Sequence, residues 1–166
     1  MRHPGSVATR AGRVPRDEPA TGKLPDLTAW LGRSGQVVRS PAARCQFVGA
    51  TVELAIGPWD LGRWGGLPLT EIGDLSSWRL DPSFAGHGGE SLIDVQARVA
   101  GWLDRWRARP GRWAAITHAA VVRAAITHVL RAPPEAGWDL DVAPGSLTEL
   151  HTTASGWRIV RVNSPA

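Results

Sequence analysis

The sequence predicts an α/β fold: a mostly parallel central sheet with helices on both faces, in one domain spanning residues 1–166. Three observations predict it. Short apolar runs of strand length, Val37-Val38-Arg39 and Trp113–Thr117, each lead into a segment read as helical. Strands that alternate with helices argue for parallel pairing, because a helix carries the chain back across the sheet. The length suits a single core, and a hydrophobic fraction of 43% is enough to fill one.

The elements follow in chain order. Residues 1–26 read as loop, interrupted by Gly5, Gly12, Pro15, Pro19, Gly22 and Pro25. A short helix is expected over Asp26–Gly32, with Asp26 as its cap. Val37–Arg39 is a buried strand, and Ser40-Pro41 opens a helix expected from Ala42 to about Leu54. Residues 55–90, rich in Gly, Pro and Trp, form an irregular excursion with short helical turns. The clearest helix runs from Ser91 to Arg107. There Leu92, Val95, Val99, Trp102, Leu103 and Trp106 make one apolar stripe, Ser91 and Asp94 fit a capping box, and Asp94 and Arg98 are an i,i+4 pair. Trp113–Thr117 is a buried strand. Ala119–Arg131 is a second helix, stopped by Pro133-Pro134. Ser146–Thr153 and Trp157–Val162 flank Ala154-Ser155-Gly156 as a β-hairpin.

Composition narrows the function. Cys45 is the sole cysteine, so no intramolecular disulfide forms, in keeping with a reducing compartment. No apolar run approaches the length of a membrane span and no secretory signal is visible, so a cytoplasmic protein without a membrane partner is expected. The net charge is only +4, and the arginines are spread along the chain rather than clustered, which argues against nucleic acid as a partner. The scattered His87, His128 and His151 lack metal-site spacing and read as surface or structural, so neither metal nor cofactor is expected. Of the nine tryptophans, Trp102 and Trp106 belong to the helix stripe. Trp59, Trp64 and Trp78 either line a pocket or pack the excursion onto the sheet, with packing favoured. The sequence leaves the oligomeric state open.

Three segments carry chemistry: Arg2-His3, Ser40-Pro41-Ala42-Ala43-Arg44, and Thr117-His118 at a strand end. Alone each is weak. In this order, with Gly12-Arg13, Gly62-Arg63-Trp64-Gly65-Gly66 and Gly88-Gly89-Glu90-Ser91 between them, the set resembles the histidine phosphatase (phosphoglycerate-mutase-like) superfamily, in its small phosphatase branch. The resemblance implies a metal-independent phosphomonoesterase acting on a small phosphorylated metabolite. His3 would attack phosphorus to form a phosphohistidine. Arg2, Arg44 and His118 would bind the phosphate, since guanidinium forks match its oxygens. Asp60, with Glu90 second, is the expected general acid.

The chain also departs from the family pattern. Pro4 replaces a glycine after the nucleophile, so an N–H is lost. Gly5 and Ser6 stand in the region of a family glutamate, and Thr9 where many members carry an asparagine. Pro58 occupies the position, four before Gly62, where many members place the proton donor. The chain as given opens at the motif, so the family's first strand is expected to be missing, the end to fray unless tied down, and an upstream strand to be encoded. These departures motivate the alternative of an impaired or inactive member that binds phosphorylated ligands or a protein partner.

Overall fold

The structure, a computed structural model, describes residues 1–24, 26–27, 31–32 and 35–165. The middle of the helix expected over Asp26–Gly32, residues 28–30, lies outside the described residues. A parallel sheet has the order β2 (Thr51–Val52), β1 (Gln36–Arg39), β3 (Trp113–Ile116), with Val38 opposite both Thr51 and Ala115. An antiparallel hairpin, β4 (Leu147–Thr153) and β5 (Gly156–Ser164), stands as a second sheet.

Alternation along the strands sends successive side chains to opposite faces. Val38 and Ala115 face one core, with α3 (Leu92–Arg107) and α4 (Ala119–Leu130) packed over them through Val95, Val99, Trp102, Leu103, Trp106, Val121 and Ala125. Val37, Ala114 and Ile116 face the other core, beside Leu27, Leu31 and Cys45. Two short helices, α1 (Val7–Arg10) and α2 (Leu75–Leu80), lie outside these layers. The expected capping box at α3 is present: Asp94 N donates to Ser91 Oγ at 3.1 Å, and Ser91 N donates to the Asp94 carboxylate at 2.9 Å. Arg98, expected to pair with Asp94, instead binds Glu90 at 2.6 Å.

Two expectations need correction. Residues 1–26 are not all loop: Val7–Arg10 form one helical turn capped by Ser6. The helix expected over Ala42–Leu54 is only a 3-10 turn at Ala43–Cys45. Gly49 adopts φ +80°, a conformation only glycine takes without strain, and the chain turns there. It returns beside β1 as β2, then makes a second 3-10 turn at Leu54–Ile56. The β-branched pair Thr51-Val52 favours that strand over a helix.

The Arg-His end is tied down rather than frayed. His3 N donates to Thr117 O at 2.8 Å and Thr117 N to Met1 O at 2.9 Å. On the other side, Arg2 N donates to Ser146 O at 3.0 Å and Gly145 N to His3 O at 3.2 Å. Residues 1–3 thus sit, strand-like, between the end of β3 and the approach to β4, and the Met1 side chain is buried against Leu27, Leu31 and Ile116. Next to them, between β3 and β4, lies an apolar cleft of about 520 Å³ lined by Val38, Trp102, Ala115, Leu147, Leu150 and Trp157.

Candidate active site

The parallel strands end on a common rim, where open α/β sheets bind ligands. β1 leads directly into Ser40 and β3 into Thr117-His118, and Ser40 N donates to Ile116 O at 2.9 Å to lock the two ends together. Residues 1–3 bring His3 alongside, so the His3 and His118 rings meet edge to face with centroids 5.0 Å apart. His118 is the N-cap residue of α4, so the first helical turn, whose N–H groups have no partner within the helix, starts at this cavity, with Ala119 and Ala120 in its lining.

Arg2, His3, Arg44 and His118, far apart in sequence, all line one cavity of about 290 Å³. His3 and His118 are each only 5% exposed. Burial, helped by the charges of Arg44 and Arg2, holds the His3 imidazole down at a pKa of about 4, although a bond to the Pro4 carbonyl pulls the other way. A carbonyl only accepts, so Nδ1 of His3 carries the proton and donates to Pro4 O. The lone pair is therefore on Nε2. The residue that costs the loop an N–H thus supplies the carbonyl that orients the ring.

His118 is neutral as well, with burial and then Arg44 pushing its pKa down to about 2. Arg44 Nε donates to its Nδ1 at 3.3 Å, so Nε2 bears the proton and donates to Ser40 Oγ at 2.7 Å. Arg44, 6% exposed, also donates from Nη1 to Arg16 O at 2.8 Å. Arg2 donates from Nη1 to Val142 O, while its Nε is buried without a partner among the described residues. Desolvation lowers the pKa of Arg2 and Arg44 from the usual guanidinium value, so an anion that restored their solvation would be held strongly.

Asp60 and Glu90 are not brought to this cavity. The Glu90 carboxylate pairs with Arg98 and accepts Asp60 N at 3.1 Å. The Asp60 carboxylate accepts Gly62 N at 2.9 Å and faces solvent. Pro58, by contrast, does line the cavity. Arg13 and Arg123 also line it without having been singled out as site residues. Arg123 is anchored by Nε on Leu140 O at 2.9 Å, and its place five residues after His118 on the same helix was the available signal. Trp59 and Trp78 line the cavity, whereas Trp64 packs into a small core with Val14 and Ile72. Trp138, on a 3-10 segment after α4, joins the wall and carried no local signal. Among the described residues no cluster of His, Cys, Asp or Glu is placed to hold a metal ion, and no helix is long and apolar enough to cross a membrane.

Residues 9–165 match the model of the histidine phosphatase superfamily, branch 1. The chain belongs to the histidine phosphatase superfamily. Arg2 and His3 precede the matched span, but the sheet holds them against His118. Solved structures share the superfamily fold over nearly the whole chain. A mycobacterial glucosyl-3-phosphoglycerate phosphatase in complex with VO3 aligns with TM-score 0.75 and 24% identity, covering 98% of this chain and 96% of that one. A phosphoserine phosphatase mutant from Entamoeba histolytica in complex with phosphoserine reaches TM-score 0.80 at 15% identity, covering 98% and 94%. The α-ribazole phosphatase from Shigella flexneri gives 0.77 at 17%, covering 99% and 94%. No curated protein matches the chain.

Proposed function

We propose that this superfamily member is a metal-independent phosphomonoesterase that acts on a small phosphorylated metabolite through a phosphohistidine at His3. One observation carries the proposal: a neutral imidazole, its lone pair on Nε2, stands in a cavity with the buried guanidinium group of Arg44 and the half-buried one of Arg2. Nε2 attacks phosphorus; a P–N bond forms as the ester P–O bond breaks, and the leaving oxygen takes the electron pair. Water then attacks the phosphohistidine, phosphate departs, and His3 returns to its neutral form. Phosphoryl transfer demands mainly positioning and charge stabilisation. Arg2, Arg44 and the first turn of α4 supply both, with Arg123 and Arg13 adding positive field. His118, anchored on Ser40 Oγ, accepts from Arg44 Nε and so positions that guanidinium in the cavity.

The test is phosphate release from p-nitrophenyl phosphate in EDTA by wild type and His3→Ala, with acid-labile labelling of His3 in a rapid quench. Loss of at least about 10³-fold in the variant is expected for removal of the nucleophile. Equal rates in the two proteins would sink the proposal. A second reading, binding of phosphorylated ligands without turnover, is favoured by one feature: among the described residues no carboxylate lines the cavity. It predicts thermal stabilisation by phosphate esters with no release of phosphate.

A further inference from the structure

Among the described residues no carboxylate lines the cavity, and one wall of it is flat and largely apolar. Pro58 lines it, and so do Trp59, Trp78 and Trp138. These three rings touch one another, with centroids 5.2 Å apart for Trp59–Trp78, 5.8 Å for Trp59–Trp138 and 4.8 Å for Trp78–Trp138. Trp59 is pinned by Nε1 donating to Glu90 O at 2.7 Å. The indole nitrogens of Trp78 and Trp138 are buried without a partner among the described residues, donors not spent on the fold. We infer that the site is specialised for phosphomonoesters whose leaving group is a planar aromatic alcohol that departs as a stable oxyanion. The inference rests on the phosphatase reading.

Among the described residues, the carboxylates and imidazoles around the cavity other than His3 are bonded elsewhere or do not line it. Glu90 is held by Arg98, and Asp60 by Gly62 N. Asp17 accepts Ala43 N at 2.7 Å and Glu18 accepts Ala8 N at 3.2 Å. Asp141, whose charge is felt by Arg2 and Arg123, does not line the cavity. His118 has both ring nitrogens bonded, and His87 accepts Gly89 N.

A general acid is worth about 10²–10⁴-fold when the leaving oxygen is strongly basic. An alkoxide, whose conjugate acid is about as weak as water, needs that help. A phenol-type oxygen, with a pKa of about 10 or below, departs as the anion and takes its proton from water afterwards. The tryptophan wall supplies the matching binding term, because stacked and edge-on aromatic pairs gain beyond buried area.

The experiment measures kcat and KM for p-nitrophenyl, phenyl, glycerol and serine phosphates with wild type, Pro58→Glu and Trp138→Leu. Wild type is expected to lose at least about 10²-fold in kcat/KM from phenyl to the alkyl esters. Pro58→Glu, which adds a carboxyl to the cavity wall, narrows that ratio about tenfold or more. Trp138→Leu raises KM for phenyl phosphate about three- to tenfold more than for the alkyl esters. If alkyl and phenyl esters are hydrolysed alike by wild type, the inference is wrong while the phosphatase reading stands. If no ester is hydrolysed, both fall. If Trp138→Leu raises KM equally for all esters, the aromatic wall does not select the leaving group.

Discussion

Replacing Glu90 with glutamine distinguishes a proton donor from a brace. In the structure its carboxylate accepts Arg98 Nε at 2.6 Å, Arg98 Nη2 at 3.0 Å and Asp60 N at 3.1 Å. Arg98 extends the brace, donating to the carbonyls of Ala55, Gly57 and Pro58, so the pair clamps the loop that carries Trp59. Glutamine keeps one acceptor oxygen and loses the charge. A hydrogen bond to a charged group contributes about 1.5–3 kcal/mol when well buried. The side chains here are 21% and 26% exposed, which screens part of that. The expected loss is about 1–2 kcal/mol, or about 2–8 °C in Tm for a chain of this size. The assay is a thermal melt beside turnover of p-nitrophenyl phosphate. A brace predicts the melt to fall with kcat changed less than about threefold. A fall of 10²-fold or more in kcat for phenyl and alkyl esters, at unchanged Tm, would refute the reasoning and make Glu90 the acid.

Three further outcomes are expected. Acid destabilises the protein: the folded His3 and His118 titrate at about 4 and about 2, the unfolded rings near 6.5, so the unfolded chain binds more protons below neutrality. Stability is therefore full above about pH 6.5 and falls as pH drops below it, by about 2 kcal/mol per ring at pH 5; urea midpoints at pH 7 and pH 5 check this, and equal midpoints would overturn the neutral-ring assignment. Ser91→Ala removes the oxygen that caps α3 and is expected to cost about 1–2 kcal/mol, read from chemical denaturation. Gly62→Ala faces both a φ of +48° and a Cβ that strikes the His87 carbonyl oxygen, so a loss of more than about 2 kcal/mol is expected in the same assay.

Much of the scaffold was legible in the residues. α3, α4, β1, β3 and the hairpin carry their own periodicity, caps and stops: the Ser91–Asp94 box, the Val37-Val38 run, and Pro133-Pro134 after α4. Arg2, His3, Arg44 and His118 were also legible, through motif order, and the fold gathers them. The segment after Ser40-Pro41 departs from the helix its residues predict, because Gly49 and the β1–β2 pairing outweigh the strong helix propensity of Ala42-Ala43.

By itself, the sequence determined α3, α4, β1, β3 and the hairpin, and which imidazole and guanidinium groups are available to the site, since periodicity, caps and motif order depend on neighbours a few positions apart. Only the tertiary structure decided that Asp60 and Glu90 serve the backbone and Arg98 rather than the cavity, and that Trp138 meets Trp59 and Trp78. Those outcomes depend on contacts across tens of residues through an irregular excursion. There no period links sequence position to direction, and packing alone settles where a carboxylate or an indole ends up.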